Sequence, residues 1–202
     1  MPIMFAATPD IRKKQDRIPP WAALLQLFYA RAGIPLPQFQ ELKGEEVPQP
    51  YKKLLVHSSD MTPTLEAFFQ QPMSLTVLSR DIQGDSYLRE VTLNQGNGGP
   101  PVEYGAIRIS LAQLPANARR IVLEEQRPLG NVLQGEAIPH LSWPQAFFSV
   151  QSDSRMSTVL GLRQPAGLYG RRNVLVDISR RLLAEVIEVL APVEQPRTES
   201  KS

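Results

Sequence analysis

The chain has no cysteine, so disulfides, thiolate nucleophiles and thiolate metal sites are excluded. That absence fits a reducing compartment. There are only two histidines, His57 and His140, far apart in sequence and without metal-ligand spacing. Together with the lack of an HExxH-type motif, this argues against a metal site. No Gly-x-Ser-x-Gly elbow is present, which removes the usual signature of Ser-His-Asp hydrolysis. No apolar run approaches the ~20 residues of a membrane span, and the N-terminus MPIMFAATPDIRKKQDR has no long apolar core of a signal peptide. The net charge is only +2, with no basic run longer than a pair or so, too little for a nucleic-acid footprint. These absences predict a cytoplasmic protein with neither nucleic acid nor membrane as partner. Oligomeric state is left open.

What the chain does have is a core. Of its 202 residues, 42% are hydrophobic and 21% charged, enough for one ordinary domain. Proline is frequent, at 19, and punctuates the sequence. Residues 1–20 read as an irregular arm, 1–192 as a single domain and 193–202 as a disordered polar tail. Trp21 to Gly33 has apolar residues at helical spacing and a closing glycine. The four-proline stretch IPLPQFQELKGEEVPQP reads as a connector, and PYKKLLVH as a short helix. SSDMTPTLEAFFQ reads as a turn into a helix, with Thr62 as N-cap and Pro63 at the first helical position.

From Met73 the period changes to two. MSLTVLSRDI, SYLREVTL and PVEYGAIRISL read as three strands of an antiparallel meander, with QGD and QGNGGPP as turns. GNGG lacks the strand-loop-helix context and Lys-Ser/Thr ending of a phosphate loop, and reads as a hairpin loop. ANARRIVLEEQRPLGNVLQG is helical, broken at Pro128-Leu129-Gly130. Further strands are expected around Ala146 to Gln151, in LYGRRNVLVDIS and in RRLLAEVIEVLAP, the last two joined by a turn near Ser179. Arg119-Arg120 and Arg180-Arg181 read as solvated. The fold class is α+β: a single antiparallel sheet of about six strands with helices packed on one side.

In SYLREVTL, Arg89 shares a face with Tyr87, Val91 and Leu93. An arginine among apolar neighbours snorkels to water or meets an anion, a carboxylate or phosphate gripped by the guanidinium fork. Pattern alone favours the solvent-exposed reading, because most arginines are exposed. Arg108 lies on the face of Val102, Tyr104 and Ala106, and which face is inward is open. Glu185 and Glu188 lie on opposite faces of the last strand, so one is nearer the interior. A carboxylic acid among apolar neighbours has a raised pKa and serves as a general acid.

Several stretches taken together resemble the chorismate pyruvate-lyase family and the related chorismate lyase/UTRA fold. They are SDMTPTLEAFF, SYLREVTL, RPLGNVL, GLYGRRNVLV and LLAEVIEVLAP, in family order from Leu54 to Pro192. YGAIRISL and AFFSV fit the divergent, longer branch. The resemblance implies a six-stranded antiparallel sheet with helices on one side, a closed buried site, and cofactor-free conversion of chorismate to 4-hydroxybenzoate and pyruvate, feeding quinone or related synthesis. Residue by residue, it implies Arg89 for the ring carboxylate, Met61 lining the pocket, and Leu129 with Gly130 meeting the product through backbone. It implies Glu188, four residues before Pro192, as the catalytic acid, with Glu185 the alternative. The family's second arginine falls at Ala106 here, and Arg108 is the substitute two residues on. The alternative to a lyase is a non-enzymatic UTRA-like domain that binds a small aromatic carboxylate. Met1 to Gln49 is too short and proline-rich for the winged-helix module that usually precedes such domains in regulators.

Overall fold

Alternation with period two, interrupted by glycine and proline turns, sets the architecture. The computed structural model describes residues 18–193; most of the expected arm and nearly all of the expected tail lie outside the described residues. Seven strands form one sheet: β1 Phe39–Leu42, β2 Met73–Gln83, β3 Ser86–Gln95, β4 Pro101–Ser110, β5 His140–Gln151, β6 Gly167–Asp177 and β7 Leu182–Leu190. Their order is β1-β5-β6-β7-β4-β3-β2, and every neighbouring pair is antiparallel. The meander β2-β3-β4 forms as the turn residues predict. Gly84, at φ +57°, sits in the two-residue turn between Gln83 and Ser86, a conformation that costs a glycine little.

The extra strand is β1, four residues inside the proline-rich connector, pairing with the outer edge of β5 from Phe147 to Val150. A short edge strand tolerates nearby prolines, so it leaves little alternation to read. The remaining elements are α1 Ala23–Arg31, α2 Tyr51–Leu55, α3 Met61–Phe69, α4 Ala116–Leu123, α5 Leu129–Gly135 and α6 Ser154–Val159. α3 begins two residues earlier than expected, with Asp60 rather than Thr62 at the N-cap. α6 is short and was not anticipated.

Register assigns each strand residue to a face. Arg89 lies opposite Ile107, Ile107 opposite Val186, and Val186 opposite Asn173. One step along, Val91, Gly105, Glu188 and Arg171 form the next row. Helices α2 to α5 pack on this face, in two apolar clusters that include Leu54, Leu65, Val122 and Leu133. The reverse face buries Leu88, Tyr104, Ala106, Phe148 and Ile187 against α1 and α6. Both faces of β3 and β4 are therefore buried, and both strands lose the polar alternation of a half-solvated sheet.

On the reverse face, Phe148 lies between Trp21, stacked at 4.6 Å, and Gly170. A Cβ on Gly170 would meet the Phe148 ring at 2.6 Å and the Glu188 carbonyl oxygen at 2.4 Å. The second contact is with backbone and has no room to give. Gly170→Ala is expected to destabilise the protein by about 1–3 kcal/mol through overpacking, measured as a lower urea midpoint. An unchanged midpoint would show that β6 moves freely away from β7.

Candidate functional site

The helix-covered face holds a partly open cavity of about 60 Å³, room for several waters or a small ligand. Its floor is the sheet, with Arg89 and Val91 from β3, Glu103, Gly105 and Ile107 from β4, and Glu188 from β7. Its roof is the first turns of two helices, Asp60–Thr62 at α3 and Pro128–Gly130 at α5. Gly130 allows these turns to touch, since a Cβ there would stand 3.2 Å from Thr62 Oγ1. No side chain caps the α3 N-terminus. Asp60 instead bonds His140 Nε2 at 2.8 Å, while its other oxygen, Oδ1, is buried without a partner.

The structure thus brings Arg89, Met61, Leu129, Gly130 and Glu188 to one cavity. It separates Arg108 from them. Arg108 sits on the opposite face of the sheet, where Nη1 lies 3.6 Å from Glu185 Oε2. The expectation that Arg108 supplies a second anion fork in the site is corrected by this register, since a neighbour of Ile107 on β4 faces away from the cavity. Glu185 shares that far face and accepts from Arg172 Nε at 3.0 Å.

Arg89 is 1% exposed, and its Nε and Nη1 have no hydrogen-bond partner. Its carbon Cζ lies 5.9 Å from the Tyr87 ring centroid. Burial pulls its pKa below the ordinary arginine value, the mark of a cation without adequate solvation. Beside it, the Tyr87 hydroxyl donates to Glu125, which also accepts from Arg80. Burial and the Glu125 contact push the Tyr87 hydroxyl up to about 12. Glu125 holds a left-handed conformation, φ +60°, and ties the α4–α5 connection to the strands.

Glu188 is held by Arg171, whose Nε donates to its Oε2 at 2.5 Å. Arg171 is fully buried, and also donates to the carbonyls of Leu55, His57 and Ser59 at 3.1, 3.1 and 3.2 Å. His57 has its pKa lowered by burial and by the Arg171 charge. Its Nδ1 accepts from the Ser59 amide at 3.1 Å, leaving Nε2–H to donate to the Leu54 carbonyl at 2.7 Å. Glu103 is buried, its Oε2 is unpartnered, and burial followed by the Glu188 charge raises its pKa well above the usual carboxylate range. Burial therefore favours the protonated form of Glu103.

Sequence reasoning missed Glu103 and Arg171. The signal for Glu103 was its alternation with Gly105 and Ile107, away from Arg108. Arg171 stood inside the Gly-Arg-Arg stretch without an assigned role. Among the described residues, no group of three or more His, Asp or Glu is placed to hold a metal ion, and no helix is long and apolar enough to cross a membrane.

No family model matches the chain, and no curated protein sequence matches it. Solved structures do share its fold. PhnF from Mycobacterium smegmatis matches with a TM-score of 0.49 at 10% identity, over 83% of this chain and 93% of that one. The effector domain of PhnF alone gives 0.48 at 12%, over 68% and 96%. The ligand-binding domain of a Bordetella bronchiseptica protein assigned to the GntR family of transcriptional regulators gives 0.45 at 7%, over 59% and 85%. The expectation of an enzyme, a chorismate lyase, is corrected to this extent: these neighbours are described as effector and ligand-binding domains, and no comparison supports a lyase. The UTRA-like part of the resemblance agrees with them.

Two expected outcomes test the site. Arg171→Met leaves the Glu188 charge without its partner and is expected to cost about 3–5 kcal/mol, read from urea unfolding, with Arg171→Met/Glu188→Leu recovering part of the loss. A double variant no better than the single would show that the carbonyl contacts matter more than the ion pair. For Glu103, the folded protein holds the proton more tightly than the unfolded chain. Its contribution to stability is complete below the ordinary glutamate value of about 4.3 and is lost as pH rises toward the raised folded value. Glu103→Gln should therefore match wild type near about pH 4 and become progressively the more stable of the two above about pH 5. Parallel stability curves would place a solvated, ionised Glu103.

Proposed function

We propose that the chain is a small-molecule-binding domain whose cavity takes a small aromatic carboxylate, with Arg89 as the anchor. One observation carries this reading: a buried arginine lines an apolar-walled cavity with two of its guanidinium nitrogens, Nε and Nη1, left without a partner. Leaving buried donors unmet is costly, and a charged group without a partner more so. A carboxylate matches the fork in shape and charge. The uncapped first turn of α3 adds partial positive charge at the same cavity. Val91, Ile107, Leu129, Leu175 and Val186 provide flat apolar contact for the body of the ligand.

The test separates a ligand anchor from a structural arginine. Titration of wild type with benzoate and 4-hydroxybenzoate by calorimetry should show saturable binding, and either acid should raise the melting temperature with concentration. Arg89→Met should weaken binding by about 2–5 kcal/mol. The same variant should equal or exceed wild type in ligand-free stability, because it removes a buried charge that the empty protein does not pair. A destabilised variant with unchanged affinity would make Arg89 structural and overturn the proposal.

A further inference from the structure

The cavity has a second polar end. Glu103 lies opposite Leu93, at the other end of the floor from Arg89. Its carboxyl folds back over Gly105, since a Cβ built on Gly105 would stand 3.2 Å from Glu103 Oε1. Gly105 itself lies opposite Val91, two residues along the strand from Arg89, about 7 Å of strand rise. Between the two ends the floor is bare backbone at Gly105, walled by the Val91 side chain, which the same Cβ would approach at 3.3 Å. Glu103 Oε2 is buried without a partner. Arg171 is engaged by Glu188 and three carbonyl oxygens, and Glu103 Oε2 has no hydrogen bond from it.

Resting on the reading of the cavity as an aromatic-carboxylate site, we infer that Glu103 is its specificity-determining residue, a hydrogen-bond donor to an oxygen on the ligand across the ring from the carboxylate held by Arg89. The ligand class is then narrower than small aromatic acids. It is a flat cyclic acid with an oxygen at the opposite edge. An apolar group there would bury Glu103 with its hydrogen bonding unmet. Gly105 belongs to the same device, because any side chain at that position displaces both the ring and the Glu103 carboxyl. The direction of the Glu103 shift, toward the protonated form, is consistent with its acting as donor.

Two acids of nearly equal shape test this, 4-hydroxybenzoate and 4-methylbenzoate, titrated calorimetrically into the wild-type chain, Glu103→Leu and Glu103→Gln, with circular dichroism confirming the fold of each. Wild type is expected to prefer the hydroxy acid about tenfold, the worth of one buried hydrogen bond. Glu103→Leu should bring the two affinities within about a factor of two of each other, and Glu103→Gln should keep most of the preference because its amide still donates. Should Glu103→Leu not fold, infrared difference spectra of wild type decide the matter. The carbonyl stretch of a protonated carboxyl should shift with 4-hydroxybenzoate and not with 4-methylbenzoate. Equal wild-type affinities, a preference that survives in Glu103→Leu, or an unmoved carbonyl stretch overturns this inference alone and leaves Arg89 as anchor. Wild type that binds neither acid at millimolar concentration overturns the reading of the cavity and this inference with it.

Discussion

The Arg171–Glu188 pair is the interaction on which the rest of the site depends. It bridges the neighbouring strands β6 and β7 at the centre of the sheet, where both side chains are buried. The same guanidinium takes the carbonyls of Leu55, His57 and Ser59, and so fixes the chain between α2 and α3 onto the sheet. That segment leads directly into the roof of the cavity at Asp60 to Thr62. A buried ion pair adds little net stability over apolar packing, because desolvation offsets the attraction. Its effect here is geometric. One planar fork with several fixed acceptors admits one arrangement of roof over floor.

The two faces of the sheet treat buried charge differently. On the reverse face, Glu90 is fully enclosed and well satisfied, accepting from the Tyr104 hydroxyl and from both Nε and Nη2 of Arg155. Those bonds pin α6 to the strands. On the cavity face the unpartnered atoms include charged groups, two nitrogens of Arg89 and one oxygen each of Glu103 and Asp60, with Asn173 Oδ1, whereas those of the reverse face are the neutral Trp21 Nε1 and Tyr29 hydroxyl. Buried polar groups in folded proteins are almost always paired. Where local rules are broken together in one cavity beside a well-satisfied counterpart, the exceptions mark a place built to receive something.

This contrast also explains what the sequence could and could not reveal. The strands themselves were legible, because β2, β3, β4, β6 and β7 carry β-branched runs closed by glycine or proline turns. The placement of Arg89 with Tyr87, Val91 and Leu93 followed from period two alone. The side facing the cavity did not, since β3 and β4 are buried on both faces and apolar residues occupy both. Arg108 illustrates the loss. It shares the side of Tyr104 and Ala106 but not that of Val102, which packs with Leu65 and Leu93, and only the register with Glu185 shows that side to be the far one. Glu103 was invisible for the same reason, as a lone carboxylate in a strand reads as a solvated residue until packing encloses it. β1 and α6 were missed because four and six residues carry too little periodicity.

Charge balance then links the fold to its ligand. Arg171 cancels Glu188, and burial favours the neutral form of Glu103. Arg89 forms no ion pair among the described residues. Asp60, the other carboxylate of the lining, is bonded to His140 rather than to Arg89, so Arg89 stands without a direct counter-charge in a setting where solvent screening is weak. A carboxylate bound there would give Arg89 both a counter-charge and acceptors for its unmet donors. A neutral molecule leaves the cation bare, and a dianion carries an excess charge toward Glu188 and Glu103. The pairing of Arg171 with Glu188 is what leaves Arg89 as the unpaired cation, since it engages the β7 carboxylate that lines the same cavity.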